Sequence, residues 1–114
     1  MIKKITVVLT GTILFLGCVN DKEEILYGNS CDGPTPSFAA VVNPIIETNC
    51  AIPDCHAPGS SNGPGALTSY AQIKNVAGEI KSAVVSRFMP KDRTLTESQI
   101  KAIRCWVDAG APNN

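Results

Sequence analysis

Two thiols and an imidazole fall together in the run Cys50-Ala51-Ile52-Pro53-Asp54-Cys55-His56. A Cys…Cys-His group attaches a haem covalently when its spacing is C-x-x-C-H. Each thiol adds across a vinyl group of the porphyrin, and the adjacent imidazole is carried under the iron as its proximal ligand. Here four residues separate the cysteines instead of two, so the motif is a stretched version. His56 is the only histidine in the chain, and after the start residue Met89 is the only methionine. An iron held by His56 therefore has one thioether in the sequence, that of Met89, for its opposite face.

The segment ahead of these residues reads as targeting. Lys3 and Lys4 form a basic head, and residues 5–16 are apolar, interrupted only by Thr and Gly. That stretch is shorter than the roughly 20 residues a helix needs to span a bilayer. It runs into Leu14-Phe15-Leu16-Gly17-Cys18, which resembles a bacterial lipoprotein signal cleaved before an acylated cysteine. Residues 1–17 are thus expected to be a signal peptide, and residues 18–36 a lipidated Cys18 with a polar tether. The domain proper is residues 37–114. A plain secretory signal or a short anchor is the alternative. All three readings put the domain outside the cytoplasm, lipid-anchored in the cell envelope in the first case.

Charge excludes one class of partner. The chain carries 10 Lys+Arg against 10 Asp+Glu, and loss of Lys3 and Lys4 tips the balance slightly negative. No basic patch with interleaved aromatics is present, so no nucleic-acid partner is expected. Asp21, Glu23 and Glu24 after Cys18 suit a solvated tether.

Five cysteines in an exported protein need roles. With lipid on Cys18 and porphyrin on Cys50 and Cys55, an even pair remains, Cys31 and Cys105, able to close a disulfide onto the last helix. The competing arithmetic makes Cys50–Cys55 a second disulfide and keeps Cys31–Cys105. The domain would then be a haem-free structural or interaction module. A zinc site on Cys50, Cys55 and His56 would need Cys31 or Cys105 as a fourth ligand.

The elements that must position these residues read as short helices. Phe38, Val41, Val42, Ile45 and Ile46 share one helical face, with Ser37 or Thr35 as cap. Pro44 predicts a kink, or a helix restarting with Asn43 as cap. Residues 57–67, rich in Gly, Pro and Ser, form a loop that could wrap a porphyrin edge. Thr68 or Ser69 caps a short helix to about Val76, and a second runs over about 79–87 with Ile80, Val84 and Ala83 inward. Thr96-Glu97-Ser98-Gln99 is a capping box. Leu95, Ile100, Ile103, Trp106 and Val107 follow as an apolar stripe, and Gly110 ends the helix. No strand pattern or internal repeat appears, so the fold is expected to be small and all-α. With so short a chain and few aromatics, a porphyrin in the middle would supply apolar volume.

Several of these elements, in order, resemble a known family. A helix ending Asn43-Pro44-Ile45-Ile46-Glu47-Thr48-Asn49-Cys50 leads into Cys-His. Leu67-Thr68-Ser69-Tyr70, Met89-Pro90 and Leu95-Thr96-Glu97-Ser98-Gln99-Ile100 follow, and the chain closes on Trp106-Val107-Asp108-Ala109-Gly110-Ala111-Pro112-Asn113-Asn114. Residues 31–114 are similar to the small monohaem cytochrome c-like lipoproteins of Bacteroidetes, related to planctomycete-type cytochrome c domains. The resemblance implies three or four short helices around one haem c, thioether-bound through Cys50 and Cys55. His56 would be the proximal and Met89 the distal iron ligand. It implies a one-electron carrier, not an enzyme, serving a redox partner in the cell envelope. Arg87, Lys91, Arg93 and Tyr70 are candidates to approach the haem propionates.

Overall fold

The computed structural model describes residues 30–114. The expected signal peptide, the acylation of Cys18 and the first part of the tether lie outside them. Within the described residues the chain is helical, with no strand, and no helix is long and apolar enough to cross a membrane.

The first helical run differs from its expected form. A π turn, Phe38–Val42, passes without a break into α1, Asn43–Asn49. The Asn43 amide reaches back to the Phe38 carbonyl and the Val42 amide to that of Ser37. Asn43 is therefore a helical residue and not a cap; its side-chain amide bonds Glu47 instead. Pro44, which has no amide hydrogen to place, sits in the first turn of α1. The wider turn also redistributes the apolar face. Phe38, Val42 and Ile46 point inward at successive i+4 steps, whereas Val41 is left 37% exposed. The Ser37 hydroxyl caps the turn as expected, accepting from the Ala40 amide.

The remaining helices follow their local signals closely. α2, Tyr70–Asn75, starts from Ser69 in a capping box with Gln72. α3, Ala77–Val85, begins and ends about two residues before the expected bounds and buries Ala77, Ile80 and Val84. α4, Glu97–Asp108, is capped by Thr96 with Gln99 in the reciprocal position. It closes in a Schellman turn: Gly110 has φ +93°, the Gly110 amide bonds the Val107 carbonyl, and the Ala111 amide bonds that of Trp106.

α4 packs against α3 and against the π turn. Trp106, Ile46, Ile73, Ile103, Val42 and Val84 are wholly buried between them. Phe38 sets its ring edge-on to Tyr70, with centroids 5.0 Å apart, and lies 5.5 Å from the Trp106 ring. The C-terminal residue locks the start of this core. Asn114 accepts from the Ala39 amide and the Ser37 hydroxyl through its carbonyl, and from the Phe38 amide through Oδ1. Donors that a helix start leaves without partners are thereby satisfied from the far end of the chain.

Cys31 and Cys105 form a disulfide, Cα–Cα 5.3 Å, spanning 74 residues. In the chain-entropy model a loop of this size contributes about 4 kcal/mol. Cys105→Ser is expected to lower the thermal midpoint by roughly 15–30 °C. Scanning calorimetry with and without reductant checks this: the wild type should fall to the variant's midpoint on reduction, while the variant should not respond.

Candidate functional site

α1 delivers the chain to the Cys50–His56 loop. Its end is drawn tight by the Cys50 and Ala51 amides, both bonded to the Ile46 carbonyl. The four residues between the cysteines then make a turn. The Cys55 amide bonds the Ile52 carbonyl, and Asp54 adopts φ +66°, a left-handed conformation that Asp tolerates better than most residues. The His56 amide returns to the Cys50 carbonyl at 3.0 Å and closes the loop. The longer spacing is therefore absorbed in a folded turn, which brings both cysteines and the histidine to one place.

Both cysteines are free thiols and half-buried. The Cys50 thiol, which packs against the core, is pushed up to about 11. Burial disfavours its anion most, the neighbouring Cys55 adds to this, and the Arg93 charge opposes both. A thiol held protonated is a poor nucleophile. In the chain without porphyrin, iodoacetamide at pH 8 should label Cys50 about a hundredfold more slowly than it labels an ordinary thiol. The rate should climb about tenfold per pH unit toward pH 10; peptide-mapped labelling measures it. Since the folded value lies above the ordinary 9.0, the unfolded chain loses this proton first. The Cys50 contribution to stability is thus complete below pH 9 and declines as pH rises from 9 through 11.

His56 is the one buried polar side chain among the described residues, at 7% exposure. Its Nδ1 lies 2.9 Å from the Gly65 carbonyl. A carbonyl only accepts, so Nδ1 carries the hydrogen and Nε2 of the neutral ring keeps its lone pair. Among the described residues Nε2 has no hydrogen-bond partner, yet no fully buried side-chain nitrogen there lacks one. The lone pair therefore opens at the margin of the site. A ring fixed through one nitrogen with the other presented outward is the usual arrangement of a metal-ligating histidine.

The Gly/Pro loop after His56 is built to hold that ring. Asn62 donates through its side-chain amide to the Asp54 and Cys55 carbonyls, at 2.9 and 3.0 Å. The Ser60 hydroxyl bonds the Cys55 carbonyl as well. The Leu67 amide bonds the His56 carbonyl at 2.9 Å, and Leu67 is buried at 4%. The loop thus folds back over residues 54–56 and delivers Gly65 to the imidazole. Sequence reading placed a loop here without these roles. The only hint was the run of short polar residues, which readily bond nearby backbone.

Met89 follows α3, half-buried, its amide bonded to the Ala83 carbonyl at 3.1 Å. No hydrogen bond joins Met89 itself to residues 50–56. Its segment does reach α1, because Arg93 Nη1 donates to the Thr48 carbonyl at 2.9 Å. Of the four propionate candidates, only Arg93 is brought beside the cysteines. Arg87 pairs with Glu97, Lys91 lies over the Phe88 ring, and the Tyr70 hydroxyl bonds the Ala111 carbonyl.

Among the described residues no three His, Cys, Asp or Glu side chains converge at metal-holding distance. Cys50 and Cys55 are therefore not set to share a metal with His56. Thioether attachment asks for something else: free thiols near a histidine whose outward nitrogen is unprotonated. Two surface recesses of about 440 Å³ lie elsewhere, one along the disulfide between residues 31–36 and α4, the other beside Phe88 on α3. Neither is lined by Cys50, Cys55, His56 or Met89. The chain matches no protein-family model, no curated protein and no solved structure.

Proposed function

We propose that the chain is a monohaem c-type cytochrome lipoprotein that carries single electrons. Cys50 and Cys55 would hold the porphyrin through thioethers, His56 Nε2 would be the proximal iron ligand, and Met89 the distal one. The observation that carries this reading is the His56 ring, buried, protonated at Nδ1 by its bond to Gly65, and placed directly after two free thiols. A haem c, when bound, supplies a one-electron iron couple whose potential Met/His ligation raises. The chain's own contribution is to orient the imidazole through Gly65 and to seat the two thiols on a closed turn. A soft sulfur from Met89 favours the reduced metal. Were His56 and Met89 both to hold the iron, no position would be left for a substrate, which would be the character of a carrier and not of a catalyst.

Among the described residues the fold is all-α, the class that a small cytochrome c-like domain would require. The proposed setting is the cell envelope, with Cys18 acylated and the domain held at a membrane by residues 18–36. Its electron partner would be another envelope redox protein.

Co-expression with cytochrome c maturation proteins provides the test. The purified chain should gain the mass of one porphyrin that survives denaturation and show the sharp reduced bands of a c-type haem. Met89→Ala should admit CO to the ferrous iron and lower the midpoint potential by on the order of 100 mV or more, as expected from loss of a thioether ligand. Colourless protein with Cys50 and Cys55 joined to each other would leave the haem-free module as the reading.

A further inference from the structure

Residues 88–95, which carry Met89, cross from α3 to α4 without regular structure. One end is anchored by the Met89 amide on Ala83, the other by Leu95, 3% exposed in the core. Pro90 has no amide hydrogen to contribute, and residues 91–94 are exposed. Among the described residues, the hydrogen bond joining this stretch to α1 comes from Arg93, whose Nη1 reaches the Thr48 carbonyl at 2.9 Å across 45 residues of sequence. Thr48 lies in the last turn of α1, where carbonyls lack intrahelical partners and carry the negative end of the helix dipole. A guanidinium is well matched to that position, and its bond is charge-assisted. The same helix end continues directly into Cys50.

Resting on the proposed axial roles of His56 and Met89, we propose that Arg93 is a positioning residue. It fastens the Met89 segment to the end of α1 and thereby sets how firmly the Met89 sulfur holds its place on the iron. Other cations near these elements are committed elsewhere. Arg87 pairs with Glu97, Lys81 pairs with Asp108, and Lys74 bonds the Gly110 and Ala111 carbonyls. Arg93, by contrast, bridges the segment bearing one proposed ligand and the helix leading to the other.

The test compares the wild type with Arg93→Gln, Arg93→Lys and Lys81→Ala, the last breaking an ion pair remote from the segment. In the haem-loaded chain, exogenous imidazole competes with Met89 for the iron. Its apparent affinity should tighten about tenfold in Arg93→Gln if the population with Met89 released grows by that factor. Arg93→Lys should recover part of the wild-type value, and Lys81→Ala should match wild type. Hydrogen exchange on the chain without porphyrin gives a second readout: the Met89 amide, bonded to the Ala83 carbonyl, should exchange faster in Arg93→Gln and unchanged in Lys81→Ala.

Unchanged exchange in Arg93→Gln overturns the clamp. Faster exchange with unaltered imidazole affinity makes the clamp real but irrelevant to Met89, which also overturns the proposal. Failure of the wild type itself to take up porphyrin overturns the electron-carrier reading and, with it, the role assigned here. The exchange arm separates that outcome from a missing clamp.

Discussion

In the chain loaded with haem as proposed, His56→Ala should abolish the low-spin c-type spectrum. Loss of the imidazole removes the only histidine in the chain, and with it the only nitrogen donor of that kind for the iron. The thiols of Cys50 and Cys55 remain, so some covalently attached pigment is expected, with a high-spin spectrum. Yield of stable coloured protein should fall at least tenfold, since a porphyrin without its proximal ligand leaves the attachment loop unconstrained on one side. The protein itself loses as well. Removing the Nδ1 donor leaves the half-buried Gly65 carbonyl without its partner, a loss of about 1 kcal/mol, the net worth of a typical hydrogen bond. Imidazole added to His56→Gly fills the space left by the ring and should restore the low-spin bands in a saturable manner. A His56→Ala spectrum and midpoint potential equal to those of wild type would falsify the assignment of His56. Measuring both the visible spectrum and thermal unfolding separates the two losses, since only the first responds to imidazole.

The second large effect is structural. Trp106→Ala should destabilise the domain by about 3–5 kcal/mol, the range for emptying a buried aromatic site. Trp106 is wholly buried, and its Nε1 donates to the Pro112 carbonyl at 2.9 Å. Phe38 packs against its ring, and the tail beyond Pro112 supplies the Asn114 groups that bond the Ser37, Phe38 and Ala39 donors. One truncation therefore opens a cavity, frees the tail and exposes the start of the π turn. Trp106→Phe keeps most of the apolar volume while deleting the Nε1 donor, and should recover more than half of the loss. Urea unfolding followed by circular dichroism decides this. If Trp106→Ala costs less than about 1 kcal/mol, well below the usual penalty for such a site, the central packing described above is wrong.

Much of the framework was legible because its signals are local. The capping boxes at Thr96 and Ser69 need only residues three apart. The left-handed Gly110 follows from the same short range. The apolar stripe of α4 needs only one face of one helix. The Cys31–Cys105 pairing came from counting roles, and the two thiols are joined. The first helix was harder. Its periodicity correctly marked Phe38, Val42 and Ile46, yet it also placed Val41 inward. An i+3 neighbour swings outward once the turn widens to i+5 bonding, and nothing in a hydrophobic pattern announces that widening. Pro44 signalled an irregularity without disclosing its form.

Long-range polar contacts were not legible. A guanidinium at position 93 can bond any carbonyl within its reach, and only the folded chain selects Thr48. Asn114 looks like an ordinary terminal residue until the fold lays it on the donors of Phe38 and Ala39. The orientation of His56 is of the same kind. Residue type alone offers either ring nitrogen to a metal. The choice of Nε2 depends on which carbonyl the Gly/Pro loop delivers, and Ser60 and Asn62 decide that by bonding backward to residues 54 and 55.

The amino-acid order by itself therefore determined the all-α class of the described residues, the adjacency of Cys55 and His56 close after Cys50, and the even pair Cys31 and Cys105 that is found joined. Those follow from side-chain chemistry and nearest-turn geometry, which are properties of a few adjacent residues. Tertiary structure alone decided that a seven-residue turn brings Cys50 back to His56, which imidazole nitrogen faces outward, and that Arg93 joins the Met89 segment to α1. Each of those depends on where a backbone carbonyl lies in space, and every residue carries the same carbonyl.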